Sequence, residues 1–113
     1  LVGDEMLCTV AQTLLSNSRS FDLIGRWGGE EYVAVMRNLG GKDLWASAEK
    51  FRHLVGQSHI QVAGKKVKVT LSVGATQLQP GDTAKTALHR VDQLMYASKR
   101  AGRNCTTVDF TID

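Results

Sequence analysis

The stretch RWGGEEYVAVM, residues 26–36, places two glycines and two adjacent glutamates directly before an apolar, β-rich run. Together with the preceding DLIGRW, it predicts two short strands around a tight turn at Gly28-Gly29, which is a β-hairpin signature. A Gly-Gly pair loses backbone entropy on ordering, and adjacent carboxylates repel each other. Two interpretations remain open: a tight turn with solvated glutamates, or a loop that approaches a phosphate while its carboxylates hold a divalent cation.

The composition indicates one globular domain of ordinary polarity. The 113 residues are 42% hydrophobic and 22% charged, which suits a single domain with one core. A net charge of +3 is too small to indicate binding to a nucleic-acid polymer. No apolar run reaches the roughly 18 residues of a membrane-spanning helix, and Cys8 and Cys105 lack metal-site spacing. We therefore expect a cytoplasmic domain with reduced, buried thiols, in a soluble protein or on the cytosolic side of a membrane-anchored one.

Hydrophobic periodicity predicts three helices and a second hairpin. Apolar residues recur every three to four positions over residues 4–17, 43–55 and 84–101, as in amphipathic helices. The stretch HIQVAGKKVKVTLSVGAT, residues 59–76, predicts a hairpin that turns at Gly64-Lys65. Its second arm alternates apolar with polar residues, which indicates one buried face. Val108 and Phe110 predict a closing strand.

The predicted order αββαββαβ indicates an α/β fold. It is typical of an α+β sandwich in which helices flank a central, mostly antiparallel sheet. A sheet of this kind normally has a strand ahead of the first helix, whereas these residues open within a polar loop. We therefore expect residues 1–113 to form one domain that lacks its N-terminal strand and helix.

A basic motif lies near the end of the last predicted helix. In YASKRAGRN, residues 96–104, Lys99 and Arg103 are four apart and are expected to face one side of that helix. Cations are favoured at a helix C-terminus for structural reasons alone, and Gly102 is a typical helix-ending residue. Alternatively, the two bases bind a triphosphate, Arg103 through paired hydrogen bonds and Lys99 as a point charge.

Four stretches together resemble the GGDEF family, the diguanylate cyclases of bacterial signalling. They are GDEMLCTVAQTL, RWGGEEYVAVM, VTLSVGAT and RVDQLMYASKRAGRN, in the family's order and spacing, with Tyr32 replacing the usual Phe. The resemblance spans essentially the whole chain and implies a nucleotide-cyclase, palm-like fold. It implies an enzyme that joins two GTP molecules into cyclic di-GMP and releases two pyrophosphates. It further implies a Mg²⁺ or Mn²⁺ cofactor, a homodimer with one GTP per domain, and an upstream sensory domain.

The same resemblance assigns roles to the residues of the turn. Gly28 and Gly29 would line the phosphates of GTP. Glu30 would bind the catalytic metal and help deprotonate the attacking 3′-hydroxyl, and Glu31 would assist at the metal. The family's other metal-binding carboxylate lies on a preceding strand, so these 113 residues alone are expected to be inactive although the parent protein is an active cyclase.

Three further positions match family residues that bind the rest of the substrate. Asp4 would accept hydrogen bonds from the N1 and N2 donors of guanine. Lys99 and Arg103 would bind the terminal phosphates. With the turn, these positions would complete the part of the active site that this chain supplies.

An Arg-x-x-Asp pattern precedes the hairpin. In RSFD, Arg19 and Asp22 match an inhibitory site for the product, where Arg would contact guanine or phosphate and Asp would accept from guanine. A surface ion pair is the structural alternative. Lys50 stands where the family often has an additional arginine. The pattern also admits a second function, a non-catalytic cyclic di-GMP receptor, although the intact GGEE favours the enzyme.

Overall fold

A computed structural model of the protein describes residues 23–28, 31–36, 39–57 and 59–112. The helix predicted over residues 4–17 lies outside these ranges. The described elements are, in chain order, β1 Leu23–Gly28, β2 Glu31–Val35, α1 Gly41–Gly56, β3 His59–Val62, β4 Lys65–Lys68, β5 Val73–Ala75, α2 Ala84–Arg100 and β6 Thr106–Val108. The helices predicted over residues 43–55 and 84–101 are thus confirmed to within two residues at each end.

Both predicted hairpins form. Strand β1 pairs antiparallel with β2, and β3 pairs antiparallel with β4. The second hairpin turns at Ala63 and Gly64, one residue earlier than predicted, because Val62 and Lys65 already face each other as a strand pair. The two turn residues have φ angles of 52° and 79°. Positive φ at both positions gives a turn whose twist matches that of the flanking strands.

The third strand pair differs from the prediction. Strands β5 and β6 run parallel, with Val73 opposite Thr106 and Ala75 opposite Val108. The chain passes from β5 to β6 through α2, and a helical crossover is the usual way to connect parallel neighbours. The α/β class is right, but a single, mostly antiparallel sheet is not confirmed, since the described residues form three two-stranded sheets. The long second arm predicted after Gly64 is likewise divided into β4 and β5.

The core lies against the apolar face of α1. Ala48, Phe51 and Val55 are the buried residues of this helix, and Met36, Val69 and Leu71 pack against Phe51 and Val55. Leu44, which continues the same apolar repeat towards the start of the helix, is half-buried.

Helix α2 lies directly on the parallel strand pair. A Cβ atom on Gly74 of β5 would stand 2.4 Å from the Met95 nitrogen and 2.6 Å from the Val91 carbonyl oxygen, so only glycine permits this approach. The fully buried Ser98 hydroxyl donates to the Val73 carbonyl at 2.7 Å and shares a 2.7 Å hydrogen bond with the Thr107 hydroxyl. One side chain of α2 is thereby tied to both β5 and β6.

Candidate active site

The tip of the first hairpin brings Gly28 and Glu31 opposite each other. The register runs from Leu23 opposite Val35 to Arg26 opposite Tyr32 and then shifts, so that Gly28 faces Glu31. Trp27 is therefore an extra residue on β1, and such β-bulges often lie beside functional sites, where they redirect the chain. Strand β1 ends at Gly28 and β2 begins at Glu31, so Gly28 of the predicted Gly28-Gly29 turn belongs to the strand pair, and Gly29 lies outside the described residues.

Several predicted site residues lie outside the described part of the chain. They are Asp4, Arg19, Asp22, Gly29 and Glu30. Gly28 and Glu31 are described as strand residues, so the backbone at the mouth of the turn is fixed by pairing. Lys50 lies on α1 with an exposed side chain.

The end of α2 corrects one prediction about Lys99 and Arg103. The helix ends at Arg100, so Arg103 lies beyond it and the two residues do not share a helical face. The Arg103 N–H donates to the Ser98 carbonyl at 3.0 Å, and the Gly102 N–H donates to the Lys99 carbonyl at 3.4 Å. This pair of bonds is the Schellman arrangement, which needs a residue with positive φ just after the helix. Gly102 meets that need with a φ of 117°, as its place in the sequence predicts.

Lys99 lies over an aromatic ring. Its Nζ is 5.3 Å from the centroid of Tyr96, whose residue is 48% exposed. Such a contact contributes about 0.5–1 kcal/mol at an exposed site and restricts the ammonium group to one side of the helix end. The ammonium group is thus favoured near the Tyr96 ring, and Lys99 stays partly open to solvent.

A polar cluster that the sequence did not reveal holds the loop after α2. The guanidinium of Arg52 on α1 donates from Nη1 to the Asn104 side-chain oxygen at 2.9 Å and to its carbonyl at 3.2 Å. Glu49 orients this guanidinium by accepting from Nε at 2.6 Å and Nη2 at 3.0 Å. Glu49 also accepts from the Thr106 hydroxyl at 2.7 Å. We name this cluster of Glu49, Arg52, Asn104 and Thr106 the loop clamp.

The charges of the loop clamp stabilise one another. The hydrogen bond from Arg52 lowers the pKa of Glu49 below its usual value, and Glu49 raises the pKa of Arg52. Both groups therefore stay ionised at neutral pH, as a charge-assisted bidentate pair requires. The only advance signal is the acid–base spacing of i and i+3 on α1, which says nothing about the distant partner Asn104.

A second polar cluster fastens the start of α2. Arg90 pairs with Asp82 at 2.7 Å and donates to the Thr76 hydroxyl at 2.8 Å, and Asp109 lies 3.5 Å from its Nε. The hydrogen bond from Arg90 lowers the pKa of Asp82 well below its usual range. This cluster joins the segment after β5, the start of α2 and the segment after β6, so its evident role is structural.

The described ranges contain no group of three or more His, Cys, Asp or Glu side chains that could hold a metal ion. Cys105 is a free thiol and is half-buried rather than buried, with Sγ 3.4 Å from the Ser98 carbonyl. Neither of the two described helices is both long and apolar enough to cross a membrane.

A family model described as "Diguanylate cyclase, GGDEF domain" matches residues 1–105. The chain belongs to the GGDEF family. Among curated relatives of this GGDEF chain, diguanylate cyclase A of Treponema denticola is 36% identical over 94% of the chain and 29% of its own length. The response regulator PleD of Caulobacter vibrioides is 40% identical over 91% of the chain and 23% of its own length. The chain thus spans less than a third of these relatives.

Solved structures of GGDEF proteins share the fold. Diguanylate cyclase SiaD of Pseudomonas aeruginosa, in complex with its activator SiaC, superposes with a TM-score of 0.89 at 31% identity, covering 94% of this chain and 41% of that one. The GGDEF domain of DgcB from Caulobacter crescentus, in complex with c-di-GMP, gives 0.89 at 25% identity, covering 95% and 64%. The resemblance found in the sequence is confirmed, and with it the fold of the family.

Proposed function

We propose that the chain is the catalytic domain of a diguanylate cyclase, which condenses two GTP molecules into cyclic di-GMP and releases two pyrophosphates. The observation that carries this proposal is the bulged strand pairing that sets Gly28 opposite Glu31, the first and last residues of the GGEE sequence. The family match over residues 1–105 and the relatives named as diguanylate cyclases support it.

The residues of the turn have distinct roles in the proposed reaction. The 3′-oxygen of one GTP attacks the α-phosphorus of the other, a new P–O bond forms, and the bond to the departing pyrophosphate breaks. Glu30 accepts the proton of the attacking hydroxyl, and repetition of the step closes the ring. Gly28 and Gly29 offer a backbone without side chains, which lets the phosphates approach closely. Positioning of this kind supplies much of the catalysis in phosphoryl transfer.

The donor set of the turn fits a hard divalent cation. Magnesium usually binds proteins through one or two carboxylates together with waters and substrate phosphates, and it does not need a cage of protein ligands. Glu30 and Glu31 would provide those carboxylates at the hairpin tip. When bound, Mg²⁺ or Mn²⁺ would neutralise charge on the phosphates during transfer.

The rest of the substrate would contact three other residues. Lys99, placed over Tyr96, and Arg103, in the loop after α2, would bind the terminal phosphates. Asp4 would accept hydrogen bonds from guanine. Because two GTP molecules must meet, the active form would be a homodimer with one GTP per domain. Since GTP is an intracellular nucleotide, this activity implies a cytoplasmic domain, which an upstream sensory domain would control.

A second candidate function is a non-catalytic receptor for cyclic di-GMP. The Arg19-x-x-Asp22 pattern favours it, with Lys50 on α1 as an additional cation. The structure of the DgcB GGDEF domain was solved with c-di-GMP. In an active enzyme the same pattern would serve product inhibition. The retained Glu30 favours the enzyme, because a receptor has no use for a metal-binding glutamate in the turn.

Replacement of Glu30 tests the catalytic proposal. In the complete protein supplied with GTP and Mg²⁺, Glu30→Ala should abolish cyclic di-GMP formation while circular dichroism shows an unchanged fold. The matched control is Asp92→Ala, which removes an exposed carboxylate of α2 and should leave the rate unchanged. Near-normal turnover by Glu30→Ala would remove this residue from the mechanism.

A further inference from the structure

The loop after α2 has an unfavourable backbone at the residue proposed to bind phosphate. Gly102, Arg103 and Asn104 have successive φ angles of 117°, 66° and 47°. Glycine adopts such angles freely and asparagine tolerates them, whereas arginine does so rarely. Arg103 therefore depends on its surroundings to keep this conformation.

The loop is anchored on both sides of Arg103. On the helix side, its N–H donates to the carbonyl of Ser98, whose side chain is fully buried and bonded to β5 and β6. On the other side, Arg52 donates to both the carbonyl and the side-chain oxygen of Asn104. Arg103 is thus the residue between a buried anchor and the loop clamp.

The loop clamp has the geometry of a positioning device. Glu49 holds two nitrogens of the Arg52 guanidinium, which leaves Nη1 for the two oxygen atoms of Asn104. Glu49 also accepts from the Thr106 hydroxyl, so the clamp holds the chain at the start of β6 as well. Arg52 and Glu49 are half-buried, with side-chain exposures of 22% and 29%, so solvent competes only in part with their ion pair. Asn104 is exposed, so the bonds from Arg52 to Asn104 are more open to solvent.

We propose that Arg52, oriented by Glu49, is a positioning residue that holds the loop of Arg103 in the conformation that binds the triphosphate of GTP. The inference rests on the proposed function, because it takes Arg103 as a phosphate ligand. A loop that already has its binding conformation loses little conformational entropy when the ligand binds, so binding is tighter. Loss of the clamp therefore weakens nucleotide binding although Arg52 itself does not touch the nucleotide.

A double-mutant cycle separates positioning from simple stabilisation. The complete protein is assayed for its half-saturating GTP concentration and its kcat at a fixed Mg²⁺ concentration. Arg103→Ala should raise the half-saturating concentration about ten- to hundredfold, as loss of a charge-assisted phosphate contact does. Arg52→Ala should raise the half-saturating GTP concentration about three- to tenfold, with a smaller change in kcat. A factor of this size is typical of the coupling between residues of one hydrogen-bonded network. In the Arg103→Ala background, Arg52→Ala should add less than about twofold.

Two further variants report on the backbone itself. Asn104→Gly removes the side-chain acceptor but adopts positive φ freely, whereas Asn104→Ala removes it and strains the backbone. Asn104→Ala should therefore weaken GTP binding more than Asn104→Gly. Glu49→Gln keeps the shape of the side chain but loses the charge. It should raise the half-saturating GTP concentration in the same direction as Arg52→Ala, by a smaller factor. This variant keeps the test available if Arg52→Ala folds poorly.

The matched control is Arg90→Ala, which breaks a guanidinium cluster of similar contacts at the start of α2. It should lower the melting temperature without changing the half-saturating GTP concentration. If Arg52→Ala and Arg103→Ala raised the half-saturating GTP concentration by independent, multiplicative factors, the positioning role of Arg52 would be overturned. The same would follow if Arg90→Ala raised it as much as Arg52→Ala does. Either result would leave the phosphate role of Arg103 standing. An unchanged half-saturating concentration in Arg103→Ala would instead overturn the phosphate role of Arg103 in the proposed function, and the positioning role with it.

Discussion

Replacement of the buried Ser98 by alanine tests how α2 is held on the parallel strands. The side chain is fully buried, and its hydroxyl makes two hydrogen bonds of 2.7 Å, with the Val73 carbonyl and the Thr107 hydroxyl. Each such bond contributes about 1 kcal/mol net, and a buried partner left unpaired costs about 1–3 kcal/mol. Alanine regains about 0.5 kcal/mol of helix propensity. We therefore expect Ser98→Ala to lower the free energy of unfolding by about 2 kcal/mol.

Urea denaturation followed by far-UV circular dichroism measures this loss. The control is Ser47→Ala, a half-buried serine on α1, which should change the free energy of unfolding by less than about 0.5 kcal/mol. The double variant Ser98→Ala/Thr107→Val replaces both hydroxyl partners by apolar groups. Its loss in free energy of unfolding should therefore be about 1 kcal/mol smaller than the sum of the losses in the two single variants. A Ser98→Ala protein within about 0.5 kcal/mol of the original would refute the proposed energetic role of these bonds.

Three other perturbations test separate parts of the account. Gly74→Ala should lower the free energy of unfolding by more than about 3 kcal/mol in the same urea assay, because the new Cβ would stand 2.4 Å from the Met95 backbone nitrogen. Asp82→Asn should be less stable than the original at neutral pH. Arg90 lowers the pKa of Asp82 in the folded state, so the stabilisation is present above the ordinary Asp pKa and the gap should shrink as the pH falls below about 4. A gap that stays constant down to pH 2 would refute that linkage. Arg19→Ala should weaken cyclic di-GMP binding about ten- to hundredfold by calorimetry and relieve product inhibition without lowering the initial rate; equal affinities would make RSFD a surface ion pair.

Local sequence patterns predicted the parts of the fold that depend on neighbouring residues. The apolar repeat of α1 acts over a few positions, and the place of this helix is confirmed. The two strands predicted on either side of the Gly-rich turn likewise pair with each other. Gly102 likewise marks the end of α2, but the same ending removes Arg103 from the helix. A spacing of four residues describes a shared face only while the helix continues.

Contacts between residues that are far apart in the chain could not be predicted from the sequence. Strands β5 and β6 have three residues each, too few for a period of two to indicate their partner or direction. Arg52 and Asn104 are 52 positions apart, so the loop clamp arises only when α1 and the loop after α2 pack together. The resemblance to the GGDEF family supplied roles for matching positions, but the clamp needed the described geometry.

The most direct test of the central claim is the stoichiometry of the reaction. The complete protein is incubated with GTP and Mg²⁺, and nucleotide products and pyrophosphate are quantified together by chromatography and an enzymatic pyrophosphate assay. We predict that two GTP molecules disappear for each cyclic di-GMP formed, with release of two pyrophosphates. Binding of added cyclic di-GMP without any conversion of GTP would contradict the account and establish the receptor instead.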